Sequence, residues 1–196
     1  FCIALVALLC VGCFLTSCHN TLVKPKSAPV FYSDSRSVCL LPTSAMKESV
    51  DMPQHLQGTF IKEDGSEANF DVDTWVRAND SILSVFLFGG FGTTLAELTY
   101  TGDSVSFESS VMDVHKMKAE YVLADLQVCF YPYEALKANF GQSGFTFVEE
   151  LQGGDFLRTL SENGKPILKV EKTGNQIILV NELRHYKYHI TLGADR

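Results

Sequence analysis

From residue 55 onward the chain is a succession of short apolar runs, each closed by turn residues, and that rhythm restricts it to an antiparallel β fold. The run 55–62 ends at Glu63-Asp64-Gly65-Ser66. In Phe70-Asp71-Val72-Asp73-Thr74-Trp75-Val76, the residues Phe70, Val72 and Val76 share one face at period two. Asn79-Asp80 leads into Ile82-Leu83-Ser84-Val85-Phe86-Leu87-Phe88, and Gly89-Gly90-Phe91-Gly92 leads into the run 93–100. After Thr101-Gly102-Asp103, Val105 and Phe107 end a first meander.

Between residues 114 and 141 the period changes. Tyr121, Val122, Leu123, Leu126 and Phe130 recur at three- and four-residue spacing, and Pro132 suits the first turn of a second helix carrying Ala135, Leu136 and Phe140. Two short helices joined at Tyr131 are expected, with Gly141 ending the second. Strands return over 145–151, 156–160, 167–172, 177–181 and 184–192, and Asn163-Gly164 is a strong hairpin signal. In the last run Tyr186, Tyr188, Ile190 and Leu192 form one face and His185, Lys187, His189 and Thr191 the other.

The pattern predicts a mainly β, α+β domain of about ten antiparallel strands, because open twisted sheets seldom stay flat beyond roughly that number. An open half-barrel results, its concave face covered by a short helical lid and wide enough for an apolar ligand. Candidate lining residues are Trp75, Phe86, Phe88, Leu98, Tyr100, Leu126, Phe130, Tyr186 and Tyr188. Asp125 and Gln127 either hydrogen-bond the lid to the barrel or face solvent.

The N-terminus is different in kind. Residues 1–15 form an uncharged apolar run, shorter than the roughly 20 residues a spanning helix needs and of signal-peptide length. The following Leu15-Thr16-Ser17-Cys18 resembles a bacterial lipobox, which implies a signal peptide over 1–17 and a diacylated Cys18. Each buried methylene contributes about 0.8 kcal/mol, so three acyl chains anchor a protein essentially permanently. His19 stands where Asp is the usual inner-membrane retention signal, which points to the periplasmic face of the outer membrane. Residues 18–54 carry Pro25, Pro29, Pro42 and Pro53 and read as a spacer stiffened by polyproline-like geometry, the lipidated tether of a domain spanning 55–196. Phe31, Tyr32, Val38, Leu40 and Leu41 offer its second half a way to pack on that domain.

Composition excludes several functions. The net charge is −7 and the basic residues form no cluster, so nucleic acid is not an expected partner. With Cys2, Cys10 and Cys13 in the signal segment and Cys18 acylated, Cys39 and Cys129 remain, either bridged or as two separate thiols. No metal is expected. His185 and His189 on a strand would lie roughly 13 Å apart, too far to share one ion. Gly89-Gly90-Phe91-Gly92-Thr93-Thr94 lacks the lysine and βαβ context of a nucleotide loop, and no Gly-x-Ser-x-Gly elbow is present. Neither a cofactor nor an enzymatic activity is expected.

Ala124-Asp125-Leu126-Gln127-Val128-Cys129-Phe130-Tyr131-Pro132 resembles the signature of an uncharacterised bacterial lipoprotein family related in fold to the lipoprotein-localisation proteins LolA and LolB. Arg158, Gly164, the run 167–170 and Tyr188-His189-Ile190-Thr191-Leu192 carry the same resemblance. It implies an incomplete barrel holding acyl chains under a helical lid, and members are often encoded beside genes for aryl-polyene or other fatty-acid-derived lipids. The implied partners are a hydrophobic acyl or polyene lipid, lipoprotein acyl chains, and a periplasmic carrier or envelope transporter. Transfer would follow relative affinity. The stretch 86–98 resembles the LolB strand-loop-strand whose apolar tip enters the membrane, with Phe91 between Gly90 and Gly92 at the tip. Burying that ring in the interface would contribute about 1.5–3 kcal/mol, unless the ring folds back on the domain. The rival reading is a lipoprotein that docks an envelope protein and holds no lipid.

Overall fold

The computed structural model describes residues 20–24, 29–62, 64–111, 113–114 and 118–193, with the backbone alone for 20–24 and Phe91. Three short strands come first: β1 (Asn20–Lys24), β2 (Val30–Phe31) and β3 (Ser37–Val38). The first meander follows as β4 (Val50–Ile61), β5 (Glu67–Ala78), β6 (Leu83–Phe88), β7 (Thr94–Tyr100) and β8 (Val105–Ser109). Helices α1 (Ala119–Phe130) and α2 (Tyr133–Gln142) precede a second meander of β9 (Thr146–Gln152), β10 (Asp155–Glu162), β11 (Lys165–Thr173), β12 (Gln176–Asn181) and β13 (Tyr186–Leu192). Asn163 and Gly164, both at positive φ (51° and 79°), close the β10–β11 hairpin, the backbone that an Asn-Gly pair adopts at little cost.

One antiparallel sheet of 11 strands unites the meanders in the order β1-β8-β7-β6-β5-β4-β13-β12-β11-β10-β9. The join is the β13–β4 pair, in register from Tyr186 opposite Phe60 to Leu192 opposite Gln54. Its edges, β1 and β9, are not paired with one another, so the barrel is open. The inward side chains of both halves nevertheless meet in one core, which places Val76, Leu98 and Phe107 in the same cluster as Leu160, Val170 and Leu179. A flat sheet of this width would not bring them together. Curling and the two helices on the concave face do so, as the sequence predicts.

Polar groups fix the helices to the sheet. The Arg158 guanidinium on β10 donates to the Val128 carbonyl at 2.6 Å near the end of α1, and pairs with Glu149 on β9 at 2.7 Å. A cation there complements the negative end of the helix dipole. On α1, Asp125 accepts a hydrogen bond from the Tyr186 hydroxyl at 2.7 Å. Asp125 therefore ties the lid to the barrel.

The spacer expected over 18–54 is instead largely built into the domain. β1 pairs with β8, β4 begins at Val50, and residues 29–46 form a strap around the helices that buries Val30, Tyr32, Val38, Leu40 and Met46. Its order comes from distant side chains, which a local pattern does not reveal. Gln127 accepts from the Leu41 amide at 2.9 Å and donates to the Leu41 carbonyl at 2.8 Å, while Asn139 donates to the Cys39 carbonyl at 2.9 Å. Arg184 lies 3.7 Å from the Tyr121 ring and donates to the Phe31 carbonyl, and Arg36 pairs with Glu162 at 3.3 Å. The Cys39–Cys129 bridge does not form. Cys39 is an exposed free thiol on the strap, whereas Cys129 is a free thiol buried in α1, where desolvation raises its pKa.

Candidate functional site, an aromatic ladder on the concave face

Residues paired across neighbouring strands point to the same side of a sheet. Tyr186 faces Phe60, and Tyr188 faces Gly58, which in turn faces Phe70. These rings make a ladder: Tyr186 stacks on Tyr188 at 4.9 Å, Tyr188 meets Phe70 at 6.0 Å, and Phe70 meets Phe60 at 6.5 Å. Gly58 is what lets the rungs touch. A Cβ there would lie 2.1 Å from the Phe70 ring, so any side chain at 58 would displace that ring.

The ladder runs from the core to the surface. Tyr186 and Tyr188 are partly buried, Phe70 is partly buried, and Phe60 is 39% exposed. Leu56 and Val72, opposite one another and partly buried, widen the strip. At the inner end the Tyr186 hydroxyl also accepts from Asn181 at 3.1 Å, and Asn181 accepts from the Arg184 amide at 2.9 Å. Burial pushes the Asp125 carboxyl up to about 7, opposed by the hydrogen bond from Tyr186. Burial and the neighbouring Asp125 raise the Tyr186 phenol in turn. The Tyr32 hydroxyl and Gln54 Oε1 are among the buried polar atoms that have no hydrogen-bond partner among the described residues. The arrangement is an apolar, aromatic strip with a polar stop at its buried end. It can hold an extended hydrocarbon chain.

The structure divides the predicted lining residues into three groups. Tyr186 and Tyr188 belong to the ladder. Leu98, Tyr100 and Leu126 are buried in the packed core and Phe130 packs against it, with the Tyr100 hydroxyl donating to the Gly102 carbonyl at 3.0 Å. Trp75, Phe86 and Phe88 lie on the convex face, since Trp75 pairs with Phe86 and Phe88 with Asp73, out of phase with the buried Val76 and Val85. They do not line a cavity. Phe60 and Phe70 are the rungs that composition alone did not single out, although Phe70 shared the predicted face with Val72 and Val76.

The other candidate positions are as follows. Gly90, Phe91 and Gly92 form a 3-10 turn between β6 and β7, closed by the Gly89 amide donating to the Thr93 carbonyl at 2.8 Å, with Gly92 at φ 72°. His185 is a turn residue at φ 54°, while His189 on β13 contacts Gln176 at 3.3 Å. Among the described residues no group of three His, Cys, Asp or Glu is placed to hold a metal ion. None of the described helices is long and apolar enough to cross a membrane. Cys18 and the apolar run before it lie outside the described residues.

Among the solved structures that resemble the chain at low similarity are two from bacteria. A LolA superfamily protein from Nitrosomonas europaea is 8% identical with a TM-score of 0.32, covering 78% of this chain and 88% of its own. A domain from Vibrio parahaemolyticus described as outer membrane lipoprotein-sorting is 8% identical with a TM-score of 0.33, covering 78% and 87%. At such TM-scores the architecture rests on the chain's own strand pairing. No curated protein matches. The pattern of one family spans residues 52–193, from β4 through the helices to the end of β13, and by that match the chain belongs to the family described as "Protein of unknown function (DUF3261)".

Proposed function

We propose that this protein is a lipid-anchored carrier of the bacterial envelope that holds a hydrophobic acyl or polyene chain on its concave face and delivers it to the outer membrane. The observation that carries the reading is the ladder Tyr186-Tyr188-Phe70-Phe60, a continuous aromatic strip that leaves the core and ends exposed. A contiguous apolar strip that reaches the surface is the kind of patch that marks a ligand or partner surface, unlike single exposed apolar side chains. Burial of apolar cargo contributes about 25 cal/mol per Å² of surface removed from water, so a chain laid along several rings is held without any covalent step. Cargo then moves by relative affinity.

In this reading Cys18 carries the acyl anchor, residues 1–17 are the removed signal, and the protein faces the periplasm from the outer membrane. The Gly90-Phe91-Gly92 turn is the membrane-contacting tip. Lipid extraction from the purified protein, comparing the native chain with Phe70→Asp, is the test. The rival reading, a docking lipoprotein without cargo, requires both extracts to be clean.

A further inference from the structure

The three aromatic residues on the convex face have a position in common. Register carries the start of β1 across the sheet: Asn20 lies opposite Ser109, Ser109 opposite Ala96, and Ala96 opposite Leu87, one residue before β6 ends at Phe88. With neighbouring strands about 4.8 Å apart, the beginning of β1 and the end of β6 are roughly 14 Å from each other along one end of the sheet. Cys18 precedes Asn20 by two residues, a reach of at most about 7 Å. A bilayer that holds Cys18 therefore lies at the end of the sheet where the β6–β7 turn emerges.

The convex surface next to that end is aromatic. Phe88 closes β6, Phe86 precedes it on the same face, and Trp75 pairs with Phe86. Trp75 is 36% exposed and its indole N–H donates to Asp51 at 2.5 Å. An apolar ring with a satisfied polar handle is the side chain that favours a membrane–water interface.

We propose that the convex face formed by Trp75, Phe86 and Phe88 is a bilayer seat that rests in the interfacial region of the phospholipid surface holding Cys18. The inference rests on the anchored-carrier reading. The rim of the seat carries both signs, with Asp51 at Trp75 paired to Arg77 at 3.2 Å, Asp73 opposite Phe88 beside His55 at 2.8 Å, and Glu97 opposite Phe86, so the surface suits zwitterionic lipid and has no basic cluster to select anionic lipid. The seat also leaves the concave ladder free for cargo.

Trp75 is the chain's one tryptophan, which makes the native protein its own probe. The full acylated chain is reconstituted on phosphatidylcholine vesicles with and without bromine on the upper acyl carbons, and flotation is recorded with emission. The seat predicts that the chain floats and that bromolipid reduces Trp75 emission by about twofold or more. In Trp75→Phe/Ser81→Trp the indole moves to the exposed β5–β6 turn at the opposite end of the hairpin, and emission should not change. Unquenched Trp75 on floating protein, equal quenching at position 81, burial of Trp75 in a dimer, or failure to float each overturns the seat. Lipid extraction from the same preparation reports the cargo reading separately, so either reading can fail while the other stands.

Discussion

Arg158 is 7% exposed, and its charge is matched on two sides by Glu149 and by the carbonyls of Val128 and Cys129. Removing it strands a carboxylate whose side chain is 10% exposed and leaves the end of α1 without its donor. Arg158→Met should lower stability by about 3–5 kcal/mol, the usual cost of an uncompensated buried charge, and Arg158→Met/Glu149→Leu should recover most of it. Urea denaturation of the three chains measures both. Asp125 gives a pH signature. Its folded pKa of about 7 exceeds the unfolded value of 3.8, so its favourable contribution is fully present below pH 3.8 and is lost as pH rises through 7. Across that window each unit lowers stability by up to about 1.4 kcal/mol. Asp125→Asn keeps an acceptor for Tyr186 and removes the proton, so its stability-versus-pH curve should be flatter between pH 4 and 7. An unchanged slope would place the titration elsewhere. Residue by residue, phase was more legible than role. Phe70, Val72 and Val76 showed the inward face of β5 at period two, and that same phase places Trp75 outside, against the choice of cavity residues by aromatic character.

Elements follow the same division. Every strand from β5 to β13 and the second half of β4 appear in the sequence as apolar runs between turn residues, and both helices appear as a change of period, because each signal is local. β6 is the exception in detail: Leu83, Ser84 and Val85 are all buried, so no alternation reports which face Phe86 and Phe88 occupy. The strap 29–46 was illegible for a different reason. Its backbone groups are satisfied by Gln127, Asn139, Tyr121 and Arg184, side chains some 86 to 153 residues away. Gln127 holds both the amide and the carbonyl of Leu41. Gln127→Leu would leave two strap groups unpaired at about 1–3 kcal/mol each if they stay buried. The strap should then release, seen as faster amide exchange over residues 29–46 with exchange in β10–β12 unchanged. Equal protection of the strap in the variant would show that apolar packing of Tyr32 and Leu40 alone holds it.

At the scale of the whole molecule, the strap and the lid share one set of contacts, so the helices are held over the concave face from outside as well as from within. The ladder lies on the flank between β13, β4 and β5, where Phe60 is exposed. The convex face and the start of β1 turn the opposite side toward the anchor. The half-barrel itself was readable from strand number, whereas the ladder needed the β13–β4 pairing, a contact between the two ends of the domain that no local pattern contains. The most direct measurement is mass spectrometry of organic extracts from the protein purified from its own envelope, beside Phe70→Asp, which sets a charge between Tyr188 and Phe60. The account predicts an acylated or polyene compound near one per native chain and at least about tenfold less on the variant, the loss expected when roughly 1.4 kcal/mol or more of ring contact is replaced by a desolvated charge. A clean native extract, or equal cargo on both chains, would contradict it.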